Sequence, residues 1–433
     1  MSGTLTIGKL ILTESTSINN SFDNTDAFDR LRISQPVTLF ELNHSIGKMP
    51  LLVDEIVSGS GASTHKPENS YVEMRVTSNA VGKVIRQTFE YIPYQPGKSK
   101  LMLFSGVMET HGGVSDVVCR IGCFDSTTEK TAYTGTGNGC FFELNGTTMY
   151  VVIRHNDSDS EKVAKGAWNF DKFDGTGPSG FTITNFSNAM IFAIDQEWLG
   201  VGRVRFGFFI NGKFCLAHSF NHTGSESITI PYTKTAKLPV RYEISTGGLG
   251  NGTVAEMRMI CSTVMSEGGY EPAGITYSIG RSNSIVITTT TIPIISIRLS
   301  NLVAGTSDPY NRKSVIMKSL SILNTENRGI QWDLYLLPDS TFINGSWSII
   351  DDQNSVVEYN VSATTVTTTG ACLLDSGYGD YSSSSTFNYD KYLASPLVNS
   401  KIDGTSRVLC LAGVRVGNQD VTVFGSMSWI EIL

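Results

Sequence analysis

Apolar residues along this chain recur mainly at every second position, in short runs closed by Asn-Gly, Gly-Gly, Asp-Gly or Gly-Asn. Such alternation puts one face of an extended strand into a core and the other toward solvent, while the turn residues reverse the chain. The clearest predicted hairpin is Val204-Arg-Phe-Gly-Phe-Phe-Ile210, then Asn211-Gly212, then Lys213-Phe-Cys-Leu-Ala-His-Ser-Phe220. Asn-Gly supplies the two positive-φ residues that a tight type I′ turn needs. A second hairpin is predicted from Cys140-Phe-Phe-Glu-Leu144, with Asn145-Gly146 as its turn, into Thr147–Ile153. Strands of this kind need a second sheet over their apolar face. The pattern therefore predicts an all-β chain built from two antiparallel β-sandwiches of jelly-roll or lectin-like type.

Three regions separate by texture. Residues 1–45 are rich in Ser, Thr, Asn and Asp with isolated apolar anchors, and Pro36 interrupts regular structure. They read as an extended N-terminal arm laid against something else. Residues 46–266 hold dense strand signals and form the first predicted sandwich. The Gly- and Pro-punctuated stretch Ser266-Glu-Gly-Gly-Tyr-Glu-Pro-Ala-Gly274 has little to bury, so a linker is placed at 267–274. Residues 275–433 form the second sandwich, from runs such as Ser284-Ile-Val-Ile287, Ile294–Leu299, Ile330–Leu336 and Val421-Thr-Val-Phe424. The Ser/Tyr/Gly segment 376–386 reads as a surface loop.

Composition narrows the setting. Of 433 residues, 17 % are charged, against a usual ~25 %, so the polar remainder is largely uncharged. With 33 Lys and Arg against 40 Asp and Glu the formal net charge is −7, and no basic run is present. The attraction that dominates non-specific nucleic-acid binding is thus missing, and nucleic acid is not expected as a partner. The start, MSGTLTIGKLILTEST, does not read as a signal peptide. No apolar run approaches the ~18 residues of a membrane helix, so no membrane span is expected. Seven cysteines, an odd number without paired spacing, are expected as reduced and mostly buried thiols.

Candidate chemistry is sparse. Tyr94-Gln-Pro-Gly-Lys-Ser99 ends like a phosphate loop, but Ile92 stands where its first Gly belongs and a strand-like run follows. It reads as a turn centred on Pro96-Gly97. His218 and His222 lie four apart on a strand, about 13 Å from one another, too far to share a metal. Asp157 and Asp159, in Asp157-Ser-Asp-Ser-Glu161, resemble the start of a calcium loop, although Lys162 stands where its Gly is needed. With Asp171 and Asp174 they are weak Ca²⁺ candidates, against a solvated acidic loop. No nucleophile elbow or Cys/His arrangement occurs, so neither an enzyme nor a cofactor is expected.

Several stretches together carry a resemblance: Ala27-Phe-Asp-Arg-Leu-Arg-Ile-Ser-Gln-Pro-Val-Thr-Leu-Phe40, Ile85-Arg-Gln-Thr-Phe89 with Tyr94-Gln-Pro-Gly-Lys-Ser99, Trp198-Leu-Gly-Val-Gly-Arg-Val-Arg-Phe-Gly-Phe208, Leu238-Pro-Val-Arg-Tyr-Glu-Ile244 and Ser355-Val-Val-Glu-Tyr359. This resembles a family of virion structural proteins of tailed, often aquatic, bacteriophages and some large DNA viruses. The resemblance runs from about residue 26 to Trp429, with Asp29 standing where Gly is expected.

It implies a non-enzymatic structural protein of the virion, assembled in the host cytoplasm and exposed on the capsid or at a vertex or fibre attachment point. Its partners would be other capsid, portal or tail components. Analogy with virion fibres and spikes favours a homo-oligomer, a trimer. The arm would dock it: Arg30 and Arg32 onto carboxylates or carbonyls, Phe28, Leu31, Leu39 and Phe40 into apolar pockets. Alternatively these residues pack on their own sandwich. A different class of function is a lectin-like fibre or spike that binds host glycan. Tyr378, Asp380 and Tyr381 in Asp375-Ser-Gly-Tyr-Gly-Asp-Tyr381 are its candidate contacts.

Overall fold

The computed structural model describes residues 5–7, 10–12, 34–126, 129, 137–224, 228–271, 273–300, 313–379, 384–388 and 398–432. The chain is all-β, and every described strand pair is antiparallel. In the first sandwich a seven-stranded sheet runs, edge to edge, Ser158–Ala164, Thr148–His155, Gly139–Asn145, Val117–Phe124, Val240–Thr246, Gly82–Thr88 and Val53–Gly59. The facing eight-stranded sheet runs Lys213–Asn221, Arg203–Ile210, Met190–Gln196, Ser99–Val107, Val254–Glu267, Tyr71–Thr77 and Ala62–Lys66, with Pro36–Asn43 also pairing Val254–Glu267. Alternate residues of both sheets meet in one core. Phe208 is its hub, within 5.2–6.2 Å, centroid to centroid, of the rings of Phe142, Trp168, Phe173, Phe186 and Phe192.

Turn chemistry sets the local structure. Asn211 and Gly212 have φ of 51° and 75° and close the predicted hairpin. In the second hairpin Asn145 pairs with Thr148, so the turn is Gly146-Thr147, one residue later than expected. Gly146, at φ 54°, is the first central residue, as a type II′ turn requires.

The arm ends earlier than the sequence pattern indicates. Pro36–Asn43 is a strand of the first sandwich, registered from Pro36 against Glu267 to Asn43 against Cys261. Proline is tolerated there because the first residue of a strand need not donate to the ladder. Phe40 and Leu42 are buried in the core, and Leu39 packs against it. Leu39 and Phe40 are therefore core residues, not docking residues. Phe28, Arg30, Leu31 and Arg32 lie outside the described residues, while Leu5–Ile7 and Leu10–Leu12 pair with each other.

The second sandwich packs two further sheets. One holds Gly274–Gly280, Val421–Ile432, Ser314–Asn324 and Ser384–Asn388, with Ile285–Ile287 also on Val421–Ile432. The other holds Ser348–Ile349, Val357–Asn360, Ile292–Leu299, Val408–Val416, Gly329–Leu337 and Cys372–Gly379. Trp332 and Trp429 are fully buried between them. Residues expected as the 376–386 loop instead supply parts of two strands.

The sandwiches touch directly. Asp54 accepts from the Ile402 N–H at 2.7 Å, and Ser314 Oγ donates to the Tyr91 carbonyl at 3.3 Å. The Arg407 guanidinium lies 4.1 Å from the Phe89 ring centroid and donates to the Leu51 carbonyl. Residues 268–273 carry the chain across. Among the described residues no helix is long and apolar enough to cross a membrane.

Candidate functional site

The expected calcium residues are spent on local structure. Asn156 and Asp157, at φ 51° and 62°, form the tight turn between Thr148–His155 and Ser158–Ala164, so the expected acidic loop is a hairpin. Asp157 Oδ1 accepts from the Gly137 N–H, and Asp159 pairs with Arg154 at 2.8 Å. Asp171 is buried and accepts from the Phe173 and Ser179 N–H groups. A Cβ on Gly177 would lie 2.2 Å from that carboxylate, so only glycine fits over it. Asp174 accepts from the Thr176 N–H and hydroxyl. Among the described residues no group of three or more His, Cys, Asp or Glu is placed to hold a metal. His222 stacks on Tyr232 at 4.3 Å and bonds Glu161 through Nε2, while His218 accepts from the Asn169 N–H.

Of the expected glycan contacts one lies among the described residues. Tyr378 is exposed on the edge strand Cys372–Gly379, and Asp380 and Tyr381 lie outside the described residues.

A cleft opens instead at the seam between the sandwiches. It encloses about 660 Å³, and Tyr94, Trp198 and Tyr270 line it together with Lys98, Lys234, Lys237, Glu271 and Ile432. Four loops build it, the fourth being Lys234–Lys237. Tyr94 and Lys98 flank the Pro96-Gly97 turn, where Gly97 takes φ 84° and the Lys98 N–H returns to the Gln95 carbonyl at 3.2 Å. Trp198 follows the strand Met190–Gln196, and Tyr270 lies on the crossing segment. Gln95 ties the first loop to the third, since its amide donates to the Glu271 carbonyl and accepts from the Glu271 N–H.

The aromatic walls are held in place. Tyr94 and Trp198 meet edge to face, with centroids 5.6 Å apart and planes at 78°. Trp198 Nε1 donates to Thr233 Oγ1 at 3.0 Å, and the Tyr94 hydroxyl accepts from the Leu199 N–H at 3.2 Å. Tyr94 and Lys98 also line a smaller polar hollow of about 300 Å³, with Asp195, Glu197, Arg203 and Arg205. Asp195 is bound by Arg205.

Behind the cleft the charge is positive. Lys100 is buried and donates to the Ala236 carbonyl at 2.6 Å. Burial pushes its ammonium down to about 8. Lys237 is half-buried, and burial together with the nearby Lys313 also lowers it to about 8.

A ladder of paired carboxylates lies elsewhere, on the outer face of the seven-stranded sheet. Arg120, Glu143, Arg241 and Glu243 alternate with the core residues Ile121, Phe142, Tyr242 and Ile244, and so point away from the core. Arg120 bridges Glu143 and Glu243, each at 2.7 Å, and Arg241 bridges Glu243 at 2.6 Å and Glu129 at 3.2 Å. Lys162 and Lys83 close the ends on Glu143 and Glu129. Burial alone would raise the Glu243 carboxyl, but the guanidiniums of Arg241 and Arg120 overcome it and hold it near 2. A group so strongly ionised is a poor proton donor at neutral pH.

In the sequence, Tyr94–Ser99 reads as a turn, and both it and Trp198–Phe208 carry the resemblance. Their aromatic residues beside turn glycines were the available signal.

No protein-family model and no curated protein matches the chain. Among solved structures, it is similar to a β-glucanase from Bacillus licheniformis, at 11 % identity over 56 % of this chain and 100 % of that one, with a TM-score of 0.33. Peanut lectin aligns at 15 % identity over 54 % of this chain and 97 % of its own, with a TM-score of 0.32. An endo-1,3-β-glucanase from Streptomyces sioyaensis aligns at 10 % identity over 55 % and 98 %, with a TM-score of 0.37. At such values the likeness says nothing of chemistry.

Proposed function

We propose that this chain is a non-enzymatic structural component of a virion that binds carbohydrate on the host surface through the seam cleft. The observation that carries the reading is the cleft itself. Three aromatic side chains surround an opening of about 660 Å³ whose rim holds Gln95, Thr235 and lysines. Sugar rings present apolar C–H faces and a fringe of hydroxyls, so aromatic walls with polar groups between them suit them. Two carboxylates, Asp195 and Glu243, are held in ion pairs with arginines and so are poorly placed to move a proton. The virion setting rests on the sequence resemblance. A homo-oligomer, a trimer by analogy, would present several clefts at once and raise a weak affinity by avidity.

Two measurements test this. The intact protein on a glycan array should bind a defined set of saccharides, and Trp198→Ala should lose at least tenfold in affinity for them while keeping its melting temperature within a few degrees. Binding that is unchanged in Trp198→Ala removes the cleft from the function. Immunogold electron microscopy of particles should label the exterior, and label absent from purified particles would sink the virion role.

A further inference from the structure

The cleft's electrostatics go beyond its shape, and this inference rests on the carbohydrate reading above. Lys98 and Lys237 line it beside one acidic side chain, Glu271. The Lys237 ammonium has no carboxylate within ion-pair distance among the described residues, and Lys98 donates to the neutral Gln95 Oε1 at 2.9 Å. Lys100, directly behind, is buried and donates to the Ile92 and Ala236 carbonyls, its partners among the described residues. Partly dry cations without counter-charge are costly, and natural folds normally pair them. This molecule does pair them elsewhere, on the sheet face where Arg120 and Arg241 are each matched by two glutamates.

We infer that the saccharide of the cleft is anionic, its sugar ring against Trp198 and Tyr270 and its acidic group over Lys237 and Lys98. An acidic group there would supply the counter-charge these lysines lack, and the aromatic walls would exclude water from the ion pair and strengthen it. The neighbouring hollow is not suited to the acidic group, because its arginines are offset by Asp195 and Glu197.

Isothermal titration of the full chain with a galacturonic-acid hexasaccharide, its carboxyl-reduced counterpart and a sulfated galactan hexasaccharide tests the inference. The expected result is binding of at least one acidic probe at least tenfold tighter than the reduced one, weakening as salt is raised. Lys237→Met and Lys98→Met should each lower that affinity by fivefold or more, and Lys237→Arg should retain most of it. A preference for the sulfated probe over the uronide identifies the acidic group as sulfate and keeps the inference. Equal binding of the acidic and reduced probes overturns the anionic specificity but leaves the carbohydrate reading intact. No binding of any probe here, with no saccharide bound on the array, overturns both.

Discussion

The outer face of the seven-stranded sheet and the seam cleft both carry charge into partly dry surroundings, and they do so in opposite ways. On the sheet face Lys162, Glu143, Arg120, Glu243, Arg241, Glu129 and Lys83 alternate in sign, each touching the next. In the cleft, Lys98 and Lys237 have no ion-pair partner among the described residues, and one glutamate, Glu271, shares the lining. Desolvation penalises both, but only the first arrangement offsets it internally. A matched ladder is architecture, complete without a ligand. An unmatched cluster is incomplete until something of opposite charge arrives.

The contrast can be broken by mutation. Arg241→Ala leaves Glu243 and Glu129 buried with fewer counter-charges and should cost about 3–5 kcal/mol in urea unfolding. A loss under 1 kcal/mol would mean that the ladder is ornamental. The pH dependence sharpens the same point. Because the folded Glu243 carboxyl sits near 2, below its ordinary 4.5, its ionised form contributes stability that is full above pH 4.5 and is lost as pH falls toward 2. The stability gap between the wild type and Glu243→Gln should therefore shrink across that window in acid-unfolding curves.

At Lys237 the charged form costs stability instead of adding it. Its folded ammonium is lowered from 10.5 to about 8, so the unfolded chain binds the extra proton between those values and stability rises with pH there. Lys237→Met should cost nothing at pH 7 and gain up to about 1 kcal/mol, a small figure because the group is half-exposed. That difference should close by pH 10.5 in thermal melts. A substantial destabilisation by Lys237→Met would make Lys237 a structural support. The smallest effect is expected at the ladder's rim. Lys162 is about a third exposed, so Lys162→Ala should lose only about 0.2–1 kcal/mol, as measured by urea unfolding.

Much of the fold is legible in the sequence because period-two burial and turn residues are local signals. The Asn211-Gly212 hairpin shows this best. Local signals fail where one residue type serves two purposes. Pro36 reads as a breaker, yet it begins a strand, because the pairing of that strand with Val254–Glu267 is fixed by residues more than 200 positions away. Asp157-Ser-Asp reads as an ion loop, yet Asn156 and Asp157 are residues that tolerate positive φ in a tight turn. The cleft was the least legible part. Tyr94, Trp198 and Tyr270 are far apart in the chain, and only the stacking of loops at the seam brings them together.

The long strand Val254–Glu267 also fixes an order of events in time. Ser99–Val107 pairs along one of its sides, and Tyr71–Thr77 and Pro36–Asn43 share the other. On the ribosome those three strands are made well before their common partner. At bacterial or eukaryotic elongation rates, roughly 15–50 s separate the first codon from the last residue of that strand. From the making of each of those strands until Val254–Glu267 appears, the nascent chain carries open edges, and their closure waits on a non-local pairing, which is slow. Neighbouring nascent chains on one message would meet with those edges still exposed, so spacing between ribosomes, or a chaperone that covers the edges, becomes a requirement for making this protein in quantity.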